Sequence, residues 1–163
     1  MTKSIFRRST NRVLALLARF GPGATTLRPF IHKLRGVRIT GKVFIGDDVY
    51  LDNEYPESIE IQDGAVICLR STVIAHTSGP GKVVIGKNSF IGASSLIAVV
   101  GGNTLTIGEG AVIAAASVVN ASVQAHTLMG GPRAKPIGTV TVPFTVGTPY
   151  HKFLSGIRPL DKK

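Results

Sequence analysis

His76 is the side chain of this chain best suited to moving a proton. It ends the hexad Ser71-Thr-Val-Ile-Ala-His76 and opens a polar loop, His76-Thr-Ser-Gly-Pro-Gly81. An imidazole titrates near neutrality, so it can accept the proton of a hydroxyl that attacks an electrophile. Asp52, Asn53 and Glu54 lie 22 to 24 residues upstream. They could orient that imidazole, bind a polar ligand, or belong to a solvated loop. A basic turn, Gly130-Gly-Pro-Arg-Ala-Lys-Pro-Ile137, places Arg133 and Lys135 where they would favour phosphate. Its plainer reading is a charged turn. A catalytic zinc generally takes three protein ligands. Only His76 and His126 fall in or beside the same region, fifty residues apart, so no metal is expected. The single cysteine, Cys68, allows no internal disulfide framework and points to a reducing compartment.

The elements that position these residues follow from a ladder. Ile39, Ile45, Leu51, Ile61, Ile67, Val73, Ile85, Ile91, Ile97, Ile107, Ile113 and Val119 stand mostly six apart. A helix needs a period of 3.6 and a half-buried strand a period of two. A period of six suits a short strand plus a turn, three units making one triangular coil. Hexapeptide repeats mark parallel β-helices. One aliphatic side chain per hexad points inward, and Gly, Asn or Asp at the corners accepts positive φ cheaply. The ladder slips twice, between Leu51 and Ile61 and between Ile97 and Ile107. Each slip adds four residues that must bulge out within 52–58 and 98–104. The loop at 76–81 lacks an aliphatic centre. Chemistry tends to sit on such loops.

The register over about residues 37–125, more than half the chain, resembles the hexapeptide-repeat acyltransferase superfamily, and within it bacterial polysaccharide and sugar O-acetyltransferases. The resemblance implies a left-handed parallel β-helix and a homotrimer with active sites between neighbouring prisms. It also implies acetyl-CoA as co-substrate and a sugar or glycan hydroxyl as acceptor. In that family a His follows a hexad about two hexads before an Ile-Gly-x-Asn segment, here Ile85-Gly-Lys-Asn88. His76 thereby becomes the general base of direct transfer in a ternary complex. The Ala93 N–H would donate to the thioester oxygen, and Phe90 would be an outward aromatic beside the site. Asn53 and Glu54 would bind the acceptor, with Tyr55 stacking on a sugar face and Asp52 either binding or orienting the imidazole. Ile113-Ala-Ala-Ala-Ser-Val-Val-Asn120 resembles the late coil that holds the pantetheine arm, Ala115 and Asn120 being contact positions. The exit motif of the family is Gly-x-Pro-Ala-Lys. Here Arg133 is interposed, which leaves open whether Arg133 or Lys135 meets the CoA phosphate.

The flanks read differently. Residues 1–42 carry ten Lys/Arg and no Asp or Glu, and the remainder carries nine of each. A basic arm suits an anionic or lipid-linked glycan or a membrane face. No motif supports nucleic-acid recognition. Residues 9–20 read as a short helix, and the six apolar residues between Arg12 and Arg19 are too few for a span or a signal peptide. The expected organisation is a basic arm over 1–36, the β-helix over 37–128, and an exit turn with irregular tail over 129–163. The expected location is cytoplasmic, with the inner membrane face as a second possibility. A non-catalytic β-helix that binds glycan or serves as a scaffold is the alternative function.

Overall fold

The computed structural model describes residues 5–131, 138–142 and 149–159. Residues 5–131 fall in one compact unit, and those beyond Gly131 in a second.

The first unit is a parallel β-helix of about four coils. The first coil contains β1 (Arg38–Ile39), β2 (Phe44–Ile45) and β3 (Tyr50–Leu51). The second contains β4 (Ile59–Ile61), β5 (Val66–Ile67) and β6 (Thr72–Thr77), and the third β7 (Lys82–Ile85), β8 (Phe90–Ile91) and β9 (Leu96–Val100). The fourth contains β10 (Thr104–Ile107), β11 (Val112–Ile113) and β12 (Val118–Val119), and β13 (Leu128–Met129) follows. Every third strand stacks in parallel. One face is β1-β4-β7-β10, the second is β2-β5-β8-β11-β13 and the third is β3-β6-β9-β12.

All twelve ladder residues are buried, ten of them at 1% exposure or less. The cross-coil register pairs ladder with ladder: Ile45 with Ile67 with Ile91 with Ile113 on the second face. Each fully buried Ile or Leu contributes about 1.5–3 kcal/mol relative to exposure. The small residues two places earlier form a second inward column. It includes the hydroxyls of Ser71, Ser89, Ser95 and Ser117, all buried. These hydroxyls donate to corner carbonyls, Ser71 to Gly92 at 3.0 Å and Ser117 to Ala114 at 2.7 Å. A buried hydroxyl without such a partner would be costly.

The corners explain the Ile-Gly pairs. A Cβ on Gly92 would lie 2.5 Å from the Ala115 nitrogen of the next coil. Positive φ recurs in columns, as at Asp48, Arg70, Ser94 and Ala116. The expectation of Gly, Asn or Asp at corners is too narrow, because the stacked coils hold Arg70, Ser94 and Ala116 in the same left-handed conformation.

Before the prism stand two helices where one was expected. α1 spans Ile5–Phe20 and α2 spans Leu27–Leu34. The segment around α2 closes the first coil, whose outer edge would otherwise offer unpaired backbone groups. Ala24 carbonyl accepts from the Ile45 N–H at 2.9 Å. The buried guanidiniums of Arg28 and Arg35 donate to the carbonyls of Ile45 (3.1 Å), Leu51 (2.9 Å) and Asp52 (3.0 Å). Part of the arm's positive charge is paired here: Arg19 with Asp48 and Arg28 with Asp47.

The second unit, read as an irregular tail, contains regular structure. β14 (Gly138–Val140) pairs antiparallel with β15 (Ile157–Pro159), and α3 (Tyr150–Ser155) lies between them in sequence.

Candidate active site

The ladder slip after Leu51 turns the chain outward and places Asp52 at its start. A short 3-10 turn over Pro56–Ser58 returns the chain to β4. Asp52 is completely buried. Its Oδ1 accepts from the backbone N–H groups of Glu54 (2.9 Å) and Tyr55 (3.2 Å), which forms the bulge. Its Oδ2 accepts from the Ala75 N–H at 2.8 Å and meets Nδ1 of His76. One carboxylate thus fixes both the bulge and the imidazole of the adjacent coil.

With Nδ1–H donating to Asp52, the neutral ring leaves Nε2 as the acceptor nitrogen. The His76 side chain is 35% exposed, so the ring is held at one edge and open at another. The Tyr55 ring lies 5.5 Å from the imidazole, centroid to centroid, tilted by 47°. A fixed imidazole with a free nitrogen can accept a proton from a ligand hydroxyl.

Behind Asp52 stands a second set of groups. Arg35 donates to Asn53 Oδ1 at 2.7 Å as well as to the Leu51 and Asp52 carbonyls. Asn11 of α1 accepts from Arg35 Nε at 2.8 Å and donates to the Asn53 carbonyl. His32, fully buried, accepts from Arg35 Nη1 through Nδ1, the two atoms 2.8 Å apart. Burial, reinforced by the Arg35 charge, pushes the His32 pKa down from 6.5 to about 3. Burial also lowers Arg35 from 12.5 to about 10. Sequence reasoning left His32 unassigned and missed Asn11 and Arg35. The spacing His32-x-x-Arg35 on one helical face was the available signal, but their partners exist only once the first coil has an edge.

The expected site residues separate into groups. Asp52, Asn53, Glu54, Tyr55 and His76 come together. Within that group Asp52 is a positioning residue, since its carboxylate is wholly enclosed. Asn53 is engaged by Arg35, and Glu54 forms an ion pair with Arg8 at 3.4 Å. Both expected acceptor ligands are thus in contact with the N-terminal segment. Tyr55 lies with its ring against the imidazole. On the far side of the bulge a cleft of about 330 Å³ opens, lined by Arg7, Arg8, Asn11, Arg35, Asn53 and Glu54 among others.

Phe90, Ala93 and Ala115 lie elsewhere. Phe90 points outward on the second face, between Val66 and Val112. Ala93 follows at the corner leading to the third face, and the Ala115 nitrogen sits over Gly92 in that column. The Ser94 N–H donates to Leu69, so the Ala93 corner lies beside Leu69 of the previous coil. His76 is seven residues beyond Leu69. After the turn at Arg70, the five steps from Ser71 to His76 at a strand rise of roughly 3.3 Å cover on the order of 15 Å, toward the other end of the third face. One chain therefore does not bring Ala93 and Phe90 to His76. Asn120 follows Val119, whose register runs through Ile97 to Val73. It stands at the His76 end of that face, two coils away. Arg133 and Lys135 lie outside the described residues.

The loop at 76–81 and the second slip form one wall. β9 continues to Val100, beside Thr77, and the Gly102 N–H donates to the Pro80 carbonyl at 2.9 Å. Among the described residues no group of three His, Cys, Asp or Glu could hold a metal ion. Comparison of the chain with family models and with curated proteins returns no match.

Proposed function

We propose that this chain is an acetyl-CoA-dependent O-acetyltransferase acting on a sugar or glycan hydroxyl. The observation that carries the reading is the enclosed Asp52 carboxylate on Nδ1 of a half-open His76. The same carboxylate also accepts from the N–H groups of Glu54, Tyr55 and Ala75, so the bulge and the imidazole share one anchor. The dyad matches what direct acyl transfer demands of a base. Nε2 takes the hydroxyl proton as the oxygen attacks the thioester carbon. Asp52 stabilises the imidazolium that forms, and the proton then passes to the departing CoA thiolate.

The resemblance supplies the rest of the reading. A backbone N–H at the Ala93 corner would stabilise the oxyanion, and the Ala115 column would flank the pantetheine arm. Because Ala93 and His76 are far apart within one chain, a site that uses both draws them from two copies. A trimer of prisms provides that arrangement. Arg133 or Lys135 would meet the CoA phosphates. The acceptor class, capsule, exopolysaccharide or lipopolysaccharide sugar, rests on the resemblance alone.

The test is thiol release from acetyl-CoA with a panel of sugar acceptors, comparing wild type with His76→Ala. Acceptor-dependent release lost in the variant supports the reading. Equal release by both removes His76 as the base. Glycan binding without any release favours the non-catalytic alternative.

A further inference from the structure

Both N-terminal helices present most of their large apolar side chains to solvent. At about 100° per residue, Phe6, Val13, Leu16, Leu17 and Phe20 share one face of α1. All are more than half exposed; Phe6 is 81% and Phe20 69%. The opposite face, with Ala15 and Ala18 buried, packs on the protein. α2 repeats the arrangement. Leu27, Phe30 and Leu34 point outward, while Arg28, His32 and Arg35 point inward to close the first coil. A surface helix normally does the reverse. An apolar patch of this kind on one compact element marks a contact surface.

We propose that this face docks on an anionic lipid bilayer. The charge around it selects the occupant. Arg12 and Lys33 are exposed and, among the described residues, form no ion pair. Arg7 and Arg8 form ion pairs with Glu57 and Glu54 at 4.0 and 3.4 Å, and their side chains stay 63% and 53% exposed. No acidic residue occurs before Asp47. A second copy seated on this face would bring two sets of cations together, which repel. A bilayer with anionic headgroups offers the complement. The apolar side chains enter the boundary between headgroups and acyl chains, and the cations reach the phosphates. α1 has 16 residues, and no described helix is long and apolar enough to cross a membrane, so the helix lies in the interface plane.

The inference does not depend on acyl transfer. It does bear on the candidate site, because Asn11 on the protein-facing side of α1 holds both Arg35 and the Asn53 carbonyl. Docking through α1 sets the Asp52 bulge close to the lipid surface, where a lipid-linked acceptor would be presented.

The test is cosedimentation of the full chain with vesicles of phosphatidylcholine alone and of phosphatidylcholine mixed with phosphatidylglycerol. Binding is expected on the anionic vesicles and should weaken as salt rises. The pair Leu17→Gln with Phe20→Gln should lower partitioning about tenfold or more. Both side chains are exposed, so an unchanged far-UV circular dichroism spectrum is expected. The pair Arg12→Glu with Lys33→Glu should weaken binding to anionic vesicles only. Absence of binding to anionic vesicles overturns the proposal, as does equal partitioning by wild type and the Leu17/Phe20 variant. If that variant instead dissociates an oligomer in sedimentation velocity, the face is a contact between copies and the proposal falls. Thiol release from acetyl-CoA without vesicles, measured on the same variant, keeps this outcome separate from failure of the dyad.

Discussion

Acid should loosen this fold through His32 before it protonates most carboxylates. The ring is enclosed, and its Nδ1 already accepts from Arg35. Protonating Nδ1 would set a second N–H against the guanidinium and bury a second positive charge beside it. The folded pKa is accordingly about 3, against 6.5 for a free histidine. A group whose folded pKa is depressed in this way binds its proton more readily when unfolded. Stability is therefore complete above pH 6.5 and falls as pH drops, down to the folded pKa. The slope is about 1.4 kcal/mol per pH unit for one proton. From pH 7 to 5 the loss is about 2 kcal/mol, and it reaches on the order of 5 kcal/mol near pH 3. Urea unfolding followed by far-UV circular dichroism, at fixed protein concentration and stepped pH, measures it. His32→Asn keeps an acceptor facing Arg35 and cannot titrate, so its stability should change by about 2 kcal/mol less between pH 7 and 5. Equal losses in wild type and variant would refute the reasoning. The histidine Cε1–H resonance of His32 in the wild type gives an independent reading. It should not shift between pH 7 and 5, and a midpoint in that interval would equally sink the argument.

Two other outcomes follow from the geometry. Asp52→Asn should lower the acceptor-dependent rate about a hundredfold or more, and should change the ¹⁵N shifts that report the His76 tautomer. An unchanged tautomer would mean that Asp52 only supports the bulge. Ala116→Gly should raise the unfolding free energy by about 0.5–1 kcal/mol, read from the urea midpoint, because Ala116 is held at φ 56°. A loss of stability would show that its methyl contact outweighs the backbone strain.

The prism was legible because a hexad ladder leaves one side chain per strand no place but the interior. Ile45, Ile67, Ile91 and Ile113 declare their stacking by spacing alone. The slips were legible for the same reason, since four extra residues must leave the coil. That located Asp52 near His76 but did not settle its role. A carboxylate at the start of a bulge either faces outward or turns back under it, and the N–H groups of Glu54, Tyr55 and Ala75 decide that only after folding. The contacts of Asn53 with Arg35 and of Glu54 with Arg8 were not legible, because their polarity suits a ligand as well as it suits those cations. The α1 helix was read too short, and α2 was not read at all. Its buried residues are Arg28, Pro29, Ile31 and His32, a mixed set that apolar periodicity does not select. Phe90 and Ala93 follow the hexad pattern as expected, yet the pattern fixes a corner and not its distance from another corner.

A stack of coils behaves as a one-dimensional array, in which each unit draws its stability from its immediate neighbours. The first coil has one neighbouring coil and, in place of another, α2 with its two guanidiniums. Asp52 leaves from that terminal coil, while His76 belongs to the next. The carboxylate–imidazole contact is therefore also the seam along which the array would begin to unzip. Amide hydrogen exchange should find Ile45 and Leu51 opening well before Ile67 or Ile91. Whatever steadies the N-terminal helices lengthens the time the imidazole spends oriented, so occupancy at that end of the array sets readiness at the dyad without any displacement between the coils.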